Sequence, residues 1–306
     1  MSHPPVCNYE GSDYQSSFWE QGARDYEDRV EAVALRRLLP KGGDRLLEIG
    51  AGAGRNSGRY PDFSHIFLLD YSRSQLEQAQ GRLGRGGKYV FVAADAYRLP
   101  FVAGAFDATT VIRTLHHMVD VPRALGQVYD VLRAEGIFIL EFANKRNLKS
   151  ILRYWSHRQT WSPFAPEPVE FATLNFDFHP TTIFRTLSGL GFGIERKLAV
   201  SSFRITFFKK TVPTPILVFI DSLFQWTGAL WQLAPSIFVR AKKLKTPTSQ
   251  ILDPVAARYS ADSLNVFKCP ECGHSPLSDQ TDHLLCTNCQ RNWSFRDGIY
   301  DFREPV

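Results

Sequence analysis

The stretch Leu46-Leu47-Glu48-Ile49-Gly50-Ala51-Gly52-Ala53-Gly54 places a glycine at every second position behind a short apolar run. Glycine lets backbone approach a bound molecule closely and adopt left-handed dihedrals closed to other residues. The spacing is G-x-G-x-G, not the G-x-G-x-x-G of dinucleotide enzymes. Alone, such a loop is equally a tight strand-to-helix turn. Three acids add chemistry to it. Glu48 sits just before the loop, Asp70 closes "HIFLLD" and Asp95 closes "KYVFVAAD". A carboxylate at 70 can accept both hydroxyls of a ribose, and one at 95 can accept from an adenine amino group. Singly, each acid could be a turn former. A second group lies near the end of the sequence, where Cys269-x₂-Cys272 and Cys286-x₂-Cys289 are separated by thirteen residues. Four thiolates paired in this way make a closed tetrahedral Zn²⁺ site of the structural kind. His274 and His283 fall outside the pairing.

The acids act together only if the chain brings several strand ends to one edge. Short apolar runs at 45–50, 65–70, 88–95, 106–112 and 136–143 read as strands separated by helices or loops. Residues 24–39 place Val30, Val33, Ala34 and Leu38 on one helical face, and Pro40-Lys41-Gly42-Gly43 stops that helix. "VPRALGQVYDVLRAEG" reads as an amphipathic helix ended by Gly136. Further helices are expected at 146–155 and near 181–190, with "FGIERKLAVSSF" and "SIFVRAKK" as final strands. This alternation predicts a mostly parallel sheet with helices on both faces. Ligands of open α/β sheets bind at the carboxyl edge, where the loop and the acids fall.

Over roughly residues 25–245 this constellation resembles the class I S-adenosylmethionine-dependent methyltransferases, nearest the branch that includes quinone C-methyltransferases. The resemblance implies a Rossmann-like, doubly wound sheet. It also implies cofactor contacts from Glu48, Gly50, Ala51, Gly52 and Gly54, from Asp70 and Tyr71, and from Asp95 and Ala96. "FDATTVIRTLHHM" matches a further motif of the family, which puts Arg113 and Thr114 at the methionine end. "VLRAEGIFIL" matches the L-x-x-G-G turn, with Glu135 in place of one glycine.

Methyl transfer from a sulfonium is an in-line displacement that needs alignment and exclusion of water more than an acid or base. His117, beside His116 just after the fourth strand, is the candidate base or orienting group. The alternative is that the pair caps a helix or packs under the loop. No cysteine lies between Cys7 and Cys269, which excludes thiolate attack on cytosine carbon 5. "DATT" differs from the Asn/Asp-Pro-Pro-aromatic loop of amino-group methylation. No C-x₃-C-x₂-C site for radical chemistry is present.

The expected organisation is a methyltransferase domain at 1–245, a linker rich in Lys, Pro, Thr and Ser at 246–263, and a zinc ribbon at 264–306. The ribbon resembles small activator proteins of tRNA and rRNA methyltransferases. Fewer than about 40 residues seldom fold without such a staple. Val266, Phe267, Trp293, Phe295, Ile299, Tyr300 and Phe302 are expected to supply the ribbon's small core and a docking face on the methyltransferase domain. Residues 212–239 hold one acid, Asp221, and three prolines that argue against a membrane-spanning helix. They read as a core helix over the cleft, with a membrane-surface helix as the alternative. A net charge of +5 in 306 residues tolerates an anionic partner without requiring one. The opening residues lack a basic segment followed by an apolar run, so the expectation is a cytoplasmic protein without a signal peptide. The leading function is methylation of a small or lipid-like molecule on carbon or oxygen. The alternatives are an RNA- or ribosome-associated methyltransferase guided by the ribbon, and a non-catalytic cofactor-binding partner.

Overall fold

The computed structural model describes residues 4–12, 24–245 and 263–306, so most of the expected linker lies outside the described residues. Strands β1 (Gly43–Ile49), β2 (Phe63–Asp70), β3 (Tyr89–Ala93), β4 (Phe106–Val111) and β5 (Leu132–Ala143) pair in parallel in the order β3-β2-β1-β4-β5. Their centres are apolar because both faces are covered: Leu46, Leu47, Ile66, Phe67, Leu68, Phe138 and Ile139 are inaccessible to solvent. Helix α1 (Asp25–Leu38) buries Tyr26, Val30, Ala34, Leu35 and Leu38, while Val33 is left at the margin. Helix α2 (Arg73–Leu83) starts where Ser72 Oγ accepts from Gln75 N. Helix α3 (Val121–Val131) is capped by Asp120 and ends five residues before Gly136. The chain passes directly into β5, and Glu135, not Gly136, takes the left-handed turn at φ 64°.

Beyond β5 come α4 (Leu148–Trp155), the hairpin β6 (Val169–Ala172) and β7 (Asn175–Asp177), and α5 (Pro180–Gly189). Strands β8 (Phe192–Val200) and β9 (Ser236–Lys243) then close that side antiparallel, in the order β5-β9-β8. Helices α6 (Thr206–Thr211) and α7 (Thr214–Phe224) occupy the excursion between them. Residues 212–239 are therefore not one core helix. Their last residues enter β9, and α7 buries only Leu217 and Asp221.

The four-cysteine segment does not stand apart. Strands β10 (Ser278–Asp279), β11 (His283–Leu285), β12 (Asn292–Arg296) and β13 (Ile299–Asp301) form an antiparallel meander, and β13 pairs in parallel with β3. The result is one sheet of eleven strands. Phe267 stacks on Phe101, with ring centroids 5.6 Å apart, and meets Phe67 edge-on. Val266, Trp293, Ile299 and Phe302 are buried, whereas Phe295 and Tyr300 stack on each other half-exposed. The ribbon's apolar residues are continuous with the main core, as a docking face requires, and only the expectation that they also form a separate small core is corrected.

Candidate cofactor cavity and cysteine cluster

The ends of β1, β2, β3 and β4 converge on a cavity. Its lining includes Ile49, Gly50 and Gly52 from the loop, Asp70 and Tyr71 after β2, Asp95 and Ala96 after β3, and Arg113, Thr114 and His117 after β4. Eight of the eleven expected cofactor residues thus come together, along with the candidate base. Gly50 has φ 70°, and a methyl group there would fall 2.1 Å from Thr114 Oγ1. The loop can pass under Thr114 only as glycine. Gly52, at φ 51°, donates its N–H to Asp70 Oδ2 at 2.8 Å, and Ser72 N–H donates to Asp70 Oδ1 at 2.9 Å. Burial raises the Asp70 pKa despite these bonds. Asp95 accepts from Tyr97 N–H at 2.8 Å.

Glu48, Ala51 and Gly54 lie outside the lining. Glu48 turns under the loop, where it accepts from Ser57 Oγ at 2.6 Å and from Tyr60 OH at 3.3 Å. Burial pushes its pKa up to about 7. A carboxyl raised in the folded state favours folding below its ordinary value near 4.5 and loses that contribution as pH rises to about 7. Glu48→Gln should therefore be more stable than the wild type above pH 7, with the advantage fading toward pH 4.5. Thermal unfolding across that range measures it.

Arg113 is held from two sides. Its backbone, at φ 60°, donates N–H to Glu141 Oε2, and its Nε donates to Glu31 Oε1 at 2.7 Å. Glu31, carried on α1, also accepts from Arg55 at 2.9 Å. Burial alone would raise the Glu31 pKa, but Arg113 and Arg55 outweigh it and hold the carboxylate at about 2. A left-handed non-glycine residue is costly and needs such over-determination.

His117 Nδ1 faces Leu174 O at 2.9 Å, so Nδ1 carries the proton. Nε2 then accepts from Tyr9 OH at 3.0 Å. Burial lowers its pKa, which keeps the ring neutral. Tyr9 belongs to the opening segment, to which the sequence assigns no site. Val6, Cys7 and Tyr9 line the cavity, and Glu10 fastens the strap by accepting from Arg73 N–H and Ser74 N–H at the start of α2. Nothing periodic in "PPVCNYEGS" signals this role. Gln75, Tyr97 and Met118 were also missed.

At the ribbon, the thiols are unoxidised, and the ligand atoms of Cys269, Cys272, Cys286 and Cys289 lie within 4.8 Å of one another. Cys269 and Cys289 sulfurs are 3.7 Å apart, and Cys272 and Cys286 sulfurs 3.5 Å. A tetrahedral ion with Zn–S bonds of about 2.3 Å keeps its sulfurs about 3.8 Å apart, so the cluster fits one. His274 bonds to Thr287 and His283 to Asp282, away from the cluster.

Residues 47–140 match the family described as "Methyltransferase domain". Over these residues the chain is similar to class I S-adenosylmethionine-dependent methyltransferase domains. This domain is 34% identical over 119 residues to a demethylmenaquinone methyltransferase of Clavibacter sepedonicus, covering 38% of this chain and 49% of that protein. It is 30% identical over 134 residues to a 27-O-demethylrifamycin SV methyltransferase of Amycolatopsis mediterranei, covering 41% of this chain and 49% of that protein. The chain spans about half the length of the curated relatives it matches. In fold, the methyltransferase domain resembles an S-adenosylmethionine-dependent methyltransferase of Listeria monocytogenes, with TM-score 0.52, 16% identity, and coverage of 72% of this chain and 99% of that one. It also resembles a chain from the complex between the Haloferax volcanii Trm112 methyltransferase activator and a methyltransferase, with TM-score 0.53, 13% identity, and coverage of 76% and 96%.

Proposed function

We propose that this protein transfers the methyl group of S-adenosylmethionine to carbon or oxygen of a small, lipid-like molecule. The observation that carries the reading is the single cavity with carboxylates at Asp70 and Asp95 on one side and Arg113, Thr114 and His117 on the other. When bound, S-adenosylmethionine supplies an electrophilic methyl on a sulfonium. Asp70 is the acceptor for ribose hydroxyls, Asp95 for the adenine amino group, and Arg113 the partner for the methionine carboxylate. The strap at residues 4–12 and the apolar side chains Ile49, Leu69 and Met118 exclude water. The quinone and rifamycin methyltransferases among the relatives support a small-molecule acceptor.

His117 is neutral with Nε2 as the accepting atom, so it can take a proton from an acceptor hydroxyl or an acidic carbon once Tyr9 yields that position. His117→Gln should lower kcat by about 10²–10⁴-fold while cofactor affinity is kept. In the wild type the rate should fall as pH drops through the lowered His117 pKa, below the ordinary 6.5, because protonation removes the base. An unchanged rate in the variant would return His117 to a packing role. The reading as a whole is tested by calorimetric titration with S-adenosylmethionine and with NAD, and binding of NAD alone would sink it.

For residues 263–306 we take the cluster to hold one structural Zn²⁺. The likeness to a chain from a complex of a methyltransferase with its activator supports a ribbon that buttresses the catalytic sheet from within the same chain.

A further inference from the structure

We infer that α7, the turn that follows it and α4 form one surface that seats the protein on an anionic lipid bilayer, with the carboxyl edge of the sheet toward the membrane. Thirteen of the eighteen large apolar residues left exposed among the described residues fall within 148–155 and 205–233. That is too many, too close together, for an ordinary solvated surface. Helix α7 is turned inside out for a helix facing water. Its acid, Asp221, is buried, accepting from Tyr26 OH at 2.7 Å and from Ser202 N–H at 2.7 Å. The outward stripe is Ile216, Phe219 and Leu223, with Phe219 64% exposed. The turn continues the stripe with Leu230 at 76% and Trp231 at 64%, and α4 adds Trp155 at 65%. The two segments are joined. Leu148 N–H donates to Leu233 O at 2.9 Å, and Asn144 Nδ2 donates to Gln232 O at 2.8 Å.

Charge selects the occupant. Residues 146–158 and 205–235 contain no acid other than the buried Asp221. Lys149, Arg153, Arg158 and Lys210, from the same two segments, are exposed and form no ion pair among the described residues. Large apolar side chains with tryptophan, accompanied by exposed cations in segments free of exposed acids, match the acyl–headgroup boundary of an anionic bilayer. A protein partner would be met by charges of both signs, whereas the exposed charges of these two segments are all basic. Of the lysines flanking 212–239, Lys209, Lys242 and Lys243 are engaged within the protein, by Glu27, Glu135 and the carbonyls of Tyr129 and Leu132 respectively.

Position gives the surface a purpose. In the sheet Ala143 and Val200 both pair with Ser236, so β5 and β8 end, and β9 begins, at one row. α4 and the α6–α7 excursion leave the sheet there, at the same carboxyl edge where the glycine loop opens. An acceptor held in the bilayer by its apolar tail would reach the cavity from that side. This last step rests on the proposed methyl transfer; the seating itself does not.

The test is co-sedimentation of the full chain with phosphatidylcholine vesicles, with and without phosphatidylglycerol. Binding is expected to the phosphatidylglycerol vesicles, with blue-shifted tryptophan emission quenched by brominated acyl chains. Phe219→Ser with Leu223→Ser, both at exposed positions, should abolish the quenching. Lys149→Glu with Arg153→Glu should weaken binding by about fivefold for each basic residue removed. Failure to sediment with either vesicle overturns the inference. So does a dimer in sedimentation velocity that the serine pair converts to monomer, since a second copy would then own the surface. Vesicle binding by a protein that ignores S-adenosylmethionine would uphold this inference and sink the methyltransferase reading.

Discussion

Stripping the proposed Zn²⁺ from the four-cysteine cluster is expected to unfold residues 263–306 and to loosen the central sheet at β3. A structural Zn²⁺ site contributes on the order of 10–16 kcal/mol of binding free energy that is also folding free energy. The strands it orders are two to five residues long, too short to persist unaided. A ribbon folded on its own would leave cofactor binding intact when lost. Here β13 is the hydrogen-bonding partner of β3, Phe267 fills the space against Phe67 and Phe101, and Phe302 N–H donates to Ala93 O. Arg303 reaches further, donating to Tyr71 O and to Glu10, which ties down the strap over the cavity. Chelation should therefore lower the melting temperature of the whole protein, speed hydrogen exchange at 89–93 as well as 263–306, and weaken S-adenosylmethionine binding. Cys286→Ser, which removes a buried ligand, should reproduce all three. Elemental analysis showing no zinc in a protein with a protected tail would sink the assignment, and fast exchange confined to the tail would restore an independent ribbon.

The sequence made the cavity legible where one residue type had one use. Gly50 and Gly52 need left-handed dihedrals, and Asp70 and Asp95 close apolar runs, so type and position point the same way. Glu48 misled because a strand alternates its side chains. One position before Ile49, which lines the cavity, it points beneath the sheet to Ser57 and Tyr60. The α3–β5 junction misled because glycine at 136 drew the turn that Glu135 makes. The strap stayed hidden because its contacts to α2 and His117 span more than sixty residues and follow no period. Pairing of β13 with β3 was illegible for the same reason. The paired cysteines point to a metal site, and their cluster would fit one, but nothing in their spacing says which edge the ribbon joins. Burial of Asp221 was illegible because its partner, Tyr26, lies in α1, 195 residues away in the sequence.

Asp70→Asn is expected to cost S-adenosylmethionine binding about 3 kcal/mol or more, over a hundredfold in affinity. Two losses combine. The carboxylate is the acceptor for the ribose hydroxyls, and hydrogen bonds to a charged acceptor contribute roughly 1.5–3 kcal/mol each. The same carboxylate accepts from Gly52 N–H and Ser72 N–H on its two oxygens. An amide has one oxygen, so its NH₂ must face one of those donors and push the glycine loop or the start of α2 away. Asp70→Glu keeps the charge and separates the two losses, because a restored charge on a longer arm recovers hydroxyl binding only if the loop has stayed in place. Burial adds a pH signature. The accepting form is the carboxylate, and partial withdrawal from water raises the Asp70 pKa above the ordinary 3.8. As pH is lowered, wild-type affinity should fall through that raised value, at a higher pH than an exposed aspartate would show. The affinity of Asp70→Asn should stay flat over the same range. Calorimetric titration of the three proteins, each first checked for thermal unfolding, supplies the comparison. Equal affinities in wild type and Asp70→Asn would mean that the acid at the end of β2 holds only the loop, and the ribose would have to be sought elsewhere in the cavity.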